Sequence, residues 1–374
     1  MALTTVSVPT VYLAGDIGSS SSKFFYRVHP NQTVPLWMEP EVVDNLAMSA
    51  LPKLMGGGRP QDNAWLVVGE QGILVGDAAR ALLEQNSLVA NKADHAAYKI
   101  AAALGVIAEL EGLPSDYEAM VWLALPLAEM KTREEITQQL EMICEQGFNC
   151  RGKAQRVKLT LRCLPEGFGL YLNRKQQLKQ VGKSIEARRT LVVMMGHRNL
   201  SILNFEGGSL RMGGSNSNGP GFWPIFEKSA RSLGVTISDY RALTNAVMTG
   251  QSQQISPARG KLFDFGERVE AVRQSYWKAA SVYLRDYLLP WLENQAADVL
   301  VSGGATVVFQ DQLSAYFEEL GVRNVIFADG EMDRLVTVVS QLPEVAMNPS
   351  LPLRMTDCYG LFQGLMGKVN KVTV

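Results

Sequence analysis

The polar and apolar positions of this 374-residue chain change period several times, and each change predicts an element. Within Val11 to Tyr26, an apolar run that ends in Asp16 and a second that Lys23 opens flank a turn of small residues, Gly18-Ser19-Ser20-Ser21-Ser22, and predict a β-hairpin with a polar tip. Residues 30–62 are rich in proline and glycine and predict a loop-rich inserted lobe. Trp65 to Val68 predicts a short strand, after which Gly69 and Gly76 bracket a turn. Ile100, Leu104, Ile107 and Leu110 repeat at helical spacing within 94–111, with Gly112 just beyond. Met120 to Leu125 predicts a buried strand. Thr132 and Glu135 form a capping box for the helix striped by Ile136, Leu140 and Ile143, which Gly147 closes.

Val157 to Leu164 alternates like a half-exposed strand, whereas Leu191 to Met195 and Ser201 to Phe205 are apolar strands around a short turn. Glycines and serines cluster at 207–221, and helical patterns fill 222–247 and 266–294. Asp298 to Val301 predicts a strand running into Ser302-Gly303-Gly304-Ala305. A helix to Leu320 follows, with Gly321 as its cap, then a strand over 324–328. Early hairpins followed by alternating strands and helices predict an α/β class with mixed sheets.

Composition narrows the chemistry. Hydrophobic residues are 47% and charged residues 20%, enough to bury a large core. The formal net charge of −1 gives no global attraction to nucleic acid or to an anionic membrane. Two basic runs, Arg151 to Arg162 and Arg174 to Arg189, read as solvated faces. Cys144, Cys150, Cys163 and Cys358 form no CxxC, so reduced thiols and a cytoplasmic setting are expected. MALTTVSVPT lacks the features of a signal peptide, and no apolar run approaches the ~18 residues of a membrane span.

Three turns suit phosphate. In the first, backbone amides and hydroxyls of Gly18, Ser19 and Ser20 converge, Lys23 supplies a cation, and Asp16 stands where a carboxylate can hold hydrated Mg²⁺. The second is the turn after Met195, with Gly196. The third is Gly303-Gly304, where backbone can approach a ligand closely. Gly147 to Ala154 nearly matches a P-loop but lacks the closing Ser or Thr and follows a helix, so it reads as chance. His29, His95 and His197 have no zinc spacing. Phe222, Trp223 and Phe226, like Met194 and Met195, read as core.

The order strand-Asp-x-Gly-turn-Lys, strand-Gly-turn-strand, strand-Gly-Gly resembles the superfamily of actin, DnaK-type chaperones and sugar kinases. Within it, the spacing from Asp16 to Lys23, the stretch Val67 to Ala79 and the stretch Leu164 to Tyr171 are similar to ParM-type bacterial and archaeal actins. Leu353 to Leu361 resembles the second helix connecting the two domains of such proteins.

The resemblance implies two actin-like (ribonuclease H-like) lobes, each a mixed sheet flanked by helices, with ATP and Mg²⁺ in a cleft between them. Residues 1–188 would form the first lobe, with an insert at about 30–90 and the C-terminal helix, about 358–374, packing back on it. Residues 189–357 would form the second. Asp16, Gly18, Ser19, Ser20 and Lys23 would meet phosphates, Asp16 also the metal through water. Gly196 and Arg198 would face the phosphates from the second lobe, and Gly303, Gly304 and Ala305 the adenosine. Glu166 would position the attacking water.

One departure matters. The second phosphate turn of the family usually begins Asp-x-Gly, and here that position is Met194. Methionine neither holds a metal-bound water nor orients a nucleophile, so weak hydrolysis is expected. The implied activity is ATP-dependent head-to-tail filament formation for plasmid or DNA segregation, or for intracellular positioning. A DNA-bound adaptor would be the partner, without direct nucleic-acid binding. The alternatives are a small-molecule kinase of the same superfamily, which needs a base near the second turn, and a non-hydrolysing scaffold.

Overall fold

The computed structural model describes residues 8–49, 51, 58–83, 95–292, 297–327, 332–347 and 351–372. The chain divides into two compact units. One comprises Met1–Leu172, Asp333–Asn348 and Asp357–Val374, the other Asn173–Met332 and Pro349–Thr356.

The first unit is built on a nine-stranded sheet. Its strands are β1 (Thr10–Ile17), β2 (Ser22–Val28), β3 (Val34–Met38), β4 (Val42–Leu46), β5 (Ala64–Val68), β6 (Gln71–Val75), β7 (Asp116–Leu125), β8 (Phe148–Cys150) and β9 (Lys153–Pro165). They lie in the order β3-β2-β1-β7-β9-β8-β5-β6-β4. The first three strands form an antiparallel meander, while β1, β7 and β9 run parallel. The helix Ala96–Leu110 buries nearly all of its length, with Ile100, Leu104 and Ile107 fully inaccessible. Its alanines let it lie close to the sheet, and together they make one core with Leu13, Phe24, Val121 and Leu123.

The second unit holds β10 (Arg189–Met195), β11 (Asn199–Glu206), β12 (Ser209–Leu210), β13 (Asn216–Pro220), β14 (Gln253–Ser256), β15 (Lys261–Asp264), β16 (Ala297–Ser302) and β17 (Asn324–Ile326). Its main sheet runs β12-β11-β10-β16-β17, with β13 also on β11, and β14-β15 form a separate hairpin. The antiparallel pair β10-β11 continues into the parallel strands β16 and β17. Leu191, Val193, Val299 and Val301 pack with Phe222, Phe226, Tyr276 and Phe309.

The α/β class with mixed sheets and flanking helices is as the sequence pattern predicts. Several local expectations are corrected. The loop-rich stretch after Pro30 contains β3 and β4, and Pro35 is tolerated because β3 is a sheet edge. Gly69 and Gly76 flank a whole strand, β6, rather than a turn. The capping box does not form: a 3-10 turn, Leu127–Thr132, precedes the helix, and the Thr132 hydroxyl donates to Glu129 O at 2.7 Å. Gly147 does close that helix, with a positive φ of 85°. The glycine and serine cluster after Phe205 holds β12 and β13. Residues 94 and 328, the ends of two expected elements, lie outside the described residues.

The P-loop-like stretch is the β8-β9 hairpin, with Cys150 paired to Lys153. Several members of the basic runs are ion-paired in place. Arg151 meets Glu109 at 2.8 Å, while Arg174 and Arg188 both bind the fully buried Asp298, at 2.9 and 2.6 Å. All four cysteines are free. Among the described residues, no helix is long and apolar enough to cross a membrane.

Candidate functional site

Strands β1 and β2 pair so that Asp16 stands opposite Lys23 and Ile17 opposite Ser22. On its other side β1 runs parallel to β7, which places Asp16 at the carboxyl end of an interior strand. Asp16 is 3% and Lys23 9% exposed, and the Lys23 ammonium donates to Asp16 Oδ2. Each charge so far from water needs the other, since removing either leaves a buried charge without compensation. Gly18 covers the pair. A Cβ there would sit 2.9 Å from Ser21 O and 3.9 Å from both Asp16 Oδ1 and Lys23 Nζ. The absent side chain therefore keeps the space over both charged groups clear. Ser19 is buried and Ser20 half-buried in the same turn.

The neighbouring parallel strands end beside this hairpin. Glu166 follows β9, and its N–H donates to Leu125 O, the end of β7, at 2.7 Å. The helix Phe168–Gln180 begins two residues later. A residue to which the sequence assigned no role anchors this start. Asp357 Oδ2 accepts from Gly167 N–H at 2.8 Å, and Oδ1 from the N–H groups of Gly169 and Leu170 at 2.8 and 3.3 Å. Asp357 is buried, and its pKa is pushed up to about 7. Burial is the main cause, opposed by the Gly167 amide and reinforced by the carboxylates of Asp16 and Glu166. The next residue, Cys358, donates its thiol to Ala14 O at 3.5 Å and Lys23 O at 3.4 Å, one on each strand of the hairpin. The only signal in the sequence was a lone carboxylate in the apolar run Cys358 to Leu365 and its preceding turn.

The second unit carries a related backbone with other side chains. In β10-β11, Met194 stands opposite Ser201 and Met195 opposite Leu200. Met194 is buried. Gly196 N–H donates to Asn199 O at 2.9 Å, so this amide closes the turn. The turn sits on the helix Phe222–Ser232, whose Phe222 and Trp223 N–H groups donate to the carbonyls of Gly196 and His197. His197 stacks on Trp223 with centroids 5.2 Å apart. Burial, with the cation Arg354 adding to it, lowers the His197 pKa to about 4, so the ring is neutral at pH 7. Arg198 is half-buried. Strand β16 runs parallel to β10 with Ser302 beside Met194. Gly303 then turns at φ 112°, where a Cβ would lie 2.4 Å from Met195 O. Ala305 N–H donates to that same carbonyl at 3.1 Å. Ser302 and Thr356 share a hydroxyl hydrogen bond of 2.9 Å, and the Arg354 side chain lies 3.7 Å from where a Cβ on Gly304 would be.

Solved structures decide what this architecture is. The actin-like protein Alp7A superposes with a TM-score of 0.67 at 15% identity, covering 98% of each chain. The fold is that of the bacterial and archaeal actins. A filament structure of Alp12 matches with a TM-score of 0.58 at 13% identity, over 96% of this chain and 99% of that one. The archaeal actin homologue Ta0583 in complex with ADP matches with a TM-score of 0.59 at 14% identity, over 95% and 98%. No protein-family model and no curated protein matches the sequence.

Within this actin-like frame, the residues singled out from sequence fall in two sets. Asp16, Gly18, Ser19, Ser20, Lys23 and Glu166 lie in the first unit, at the carboxyl ends of the adjacent parallel strands β1, β7 and β9. That is where open α/β sheets take ligands. Gly196, Arg198, Gly303, Gly304 and Ala305 lie in the second unit, at the ends of β10 and β16. The first set fits a phosphate with a hydrated cation. A lysine and an aspartate lie beneath Gly18, and the carboxylates of Asp16 and Glu166 are close enough to raise the proton affinity of Asp357. A cation nearby would relieve that repulsion.

Proposed function

We propose that this protein binds ATP with Mg²⁺ and assembles head to tail into filaments that move or position cargo in the cytoplasm, such as plasmid DNA held through an adaptor. The observation that carries the reading is the buried Asp16–Lys23 pair beneath Gly18, at the carboxyl edge of the first unit's sheet, in a chain with an actin-like fold. An ADP complex and a filament among the structural neighbours support it. Lys23 and the Gly18-Ser19-Ser20 turn would hold phosphate oxygens. Asp16 would hold the metal's water, and the metal would offset phosphate charge. Gly196 and Arg198 would meet the same phosphates, and Gly303, Gly304 and Ala305 the nucleoside.

Glu166 is half-buried in the turn that follows β9, which suits it to orient a water. Turnover is slow on this reading, because Met194 and Ser201 put no charge where the first unit has Asp16 and Lys23. The same absence disfavours a kinase, which needs a base for the substrate hydroxyl. Titration with a fluorescent ATP analogue, combined with electron microscopy with and without ATP, tests the proposal. Saturable binding and nucleotide-dependent filaments are expected. No binding at millimolar ATP, or a strictly monomeric protein in every nucleotide state, would overturn it.

A further inference from the structure

Asp357 holds the start of the helix that carries the Glu166 turn, and we propose that it is a positioning residue for hydrolysis, acting through Glu166. The inference rests on the nucleotide reading above. Three observations carry it. The carboxylate accepts three backbone N–H groups, from Gly167, Gly169 and Leu170, which fixes both the direction of the turn and the first turn of the helix Phe168–Gln180. The contact admits no slack: a Cβ on Gly169 would lie 1.9 Å from the Asp357 carbonyl oxygen and 2.8 Å from Oδ1. The adjacent Cys358 ties the same stretch of helix to both strands of the Asp16–Lys23 hairpin. Residues 357 and 358 therefore set the Glu166 turn and the phosphate hairpin against one common post within the first unit.

A capping carboxylate accepting from several amides commonly serves stability alone, through the N-terminal end of the helix dipole. What separates a positioning role is its dependence on Glu166. Misplacing a water-orienting group by about 1 Å costs on the order of 10²-fold in rate while leaving ligand affinity nearly intact.

The test uses the full chain and single-turnover release of phosphate from bound ATP. Asp357→Ala is expected to slow release by at least about tenfold, with affinity for the fluorescent ATP analogue unchanged within about threefold. Asp357→Asn keeps an oxygen for Gly169 and Leu170 but turns an NH₂ toward the Gly167 N–H. It is expected to fall between wild type and Asp357→Ala, and it serves should the alanine variant fail to fold. In the background of Glu166→Ala, Asp357→Ala should add no further loss, since both act on the same water. Additive losses, or wild-type release in both Asp357 variants, overturn the positioning role. Hydrogen exchange at Gly167, Gly169 and Leu170 separates the failures. Faster exchange with unchanged release leaves a structural cap and an intact nucleotide reading. No release by an unmodified chain that still binds the ATP analogue overturns this inference alone, and no saturable binding overturns the nucleotide reading and this inference together.

Discussion

Two hairpins in this molecule have the same backbone plan and opposite chemistry. In β1-β2, Asp16 pairs with Lys23; in β10-β11, Met194 pairs with Ser201. Each pairing joins residues seven apart, each hairpin has a parallel strand on its inner side, and each has a glycine two residues after the first paired position. The first hairpin buries an ion pair, with Glu166 and Asp357 nearby. The second buries a thioether beside a neutral histidine. Topology thus places a turn at the end of a sheet in both units, but side chains decide whether the turn holds fixed charge. The acids Asp16, Glu166 and Asp357 lie in the first unit, and the second has glycine turns and the cations Arg198 and Arg354.

The largest expected effect breaks the charged hairpin. Asp16→Ala leaves the Lys23 ammonium buried and alone, and should destabilise the fold by about 3–5 kcal/mol in urea titration, besides weakening Mg·ATP binding. Asp16→Leu combined with Lys23→Met should recover most of that stability but not the binding, which would show that the pair serves the ligand rather than the fold.

Converting the second hairpin toward the first is the next test. Met194→Asp places a carboxylate opposite the Ser201 hydroxyl and should raise single-turnover phosphate release by up to about 10²–10³-fold, the typical worth of one electrostatic group. Unchanged release would show that the second hairpin does not face the reacting phosphate.

Gly303→Ala should cost about 1–3 kcal/mol of stability, because φ 112° disfavours a side chain and the new methyl would press on the Met195 carbonyl. Gly304→Ala, with its nearest neighbour the Arg354 side chain at 3.7 Å, should cost far less. Thermal melts of the two variants give the ratio.

In pH dependence the two units should slope in opposite directions. The native state holds His197 near 4 against an ordinary 6.5, so it binds fewer protons than the unfolded chain between those values. Stability therefore falls as pH drops from about 6.5 to 4, and His197→Phe should flatten that fall. Asp357 is raised from 3.8 to about 7, so the native state binds more protons across that window. Its contribution is complete below about 3.8 and is lost as pH rises through 7, and Asp357→Asn should remove that slope. Chemical denaturation from pH 4 to 8 measures both.

Much of this comparison was legible in the residues. Strand β1, its small-residue turn and Lys23 follow from apolar runs around Gly18 to Ser22, because a hairpin is a local object whose pairing is set by its turn. The helix Ala96–Leu110 follows from a stripe of Ile100, Leu104 and Ile107, since burying one face is a requirement of its own sequence. Gly303 was recognisable because only glycine takes its conformation beside another strand. Less was legible where a group had competing partners. Thr132 offered its hydroxyl to a 3-10 turn rather than to the following helix, and the strands β3 and β4 were hidden among prolines that an edge position tolerates.

The sequence by itself determined the two hairpins with their glycine-bearing turns, the absence of charge at Met194 and the α/β class, all of which depend on neighbours within about ten residues of one another along the chain. Only the tertiary structure decided that Asp357 caps Gly167, 190 positions away, and that Cys358 grips both strands of the first hairpin. No local pattern announces such a partner. A buried carboxylate is stable only where several amides converge on it, and that convergence exists only after the helix Leu351–Val372 has packed beside the ends of β1, β7 and β9.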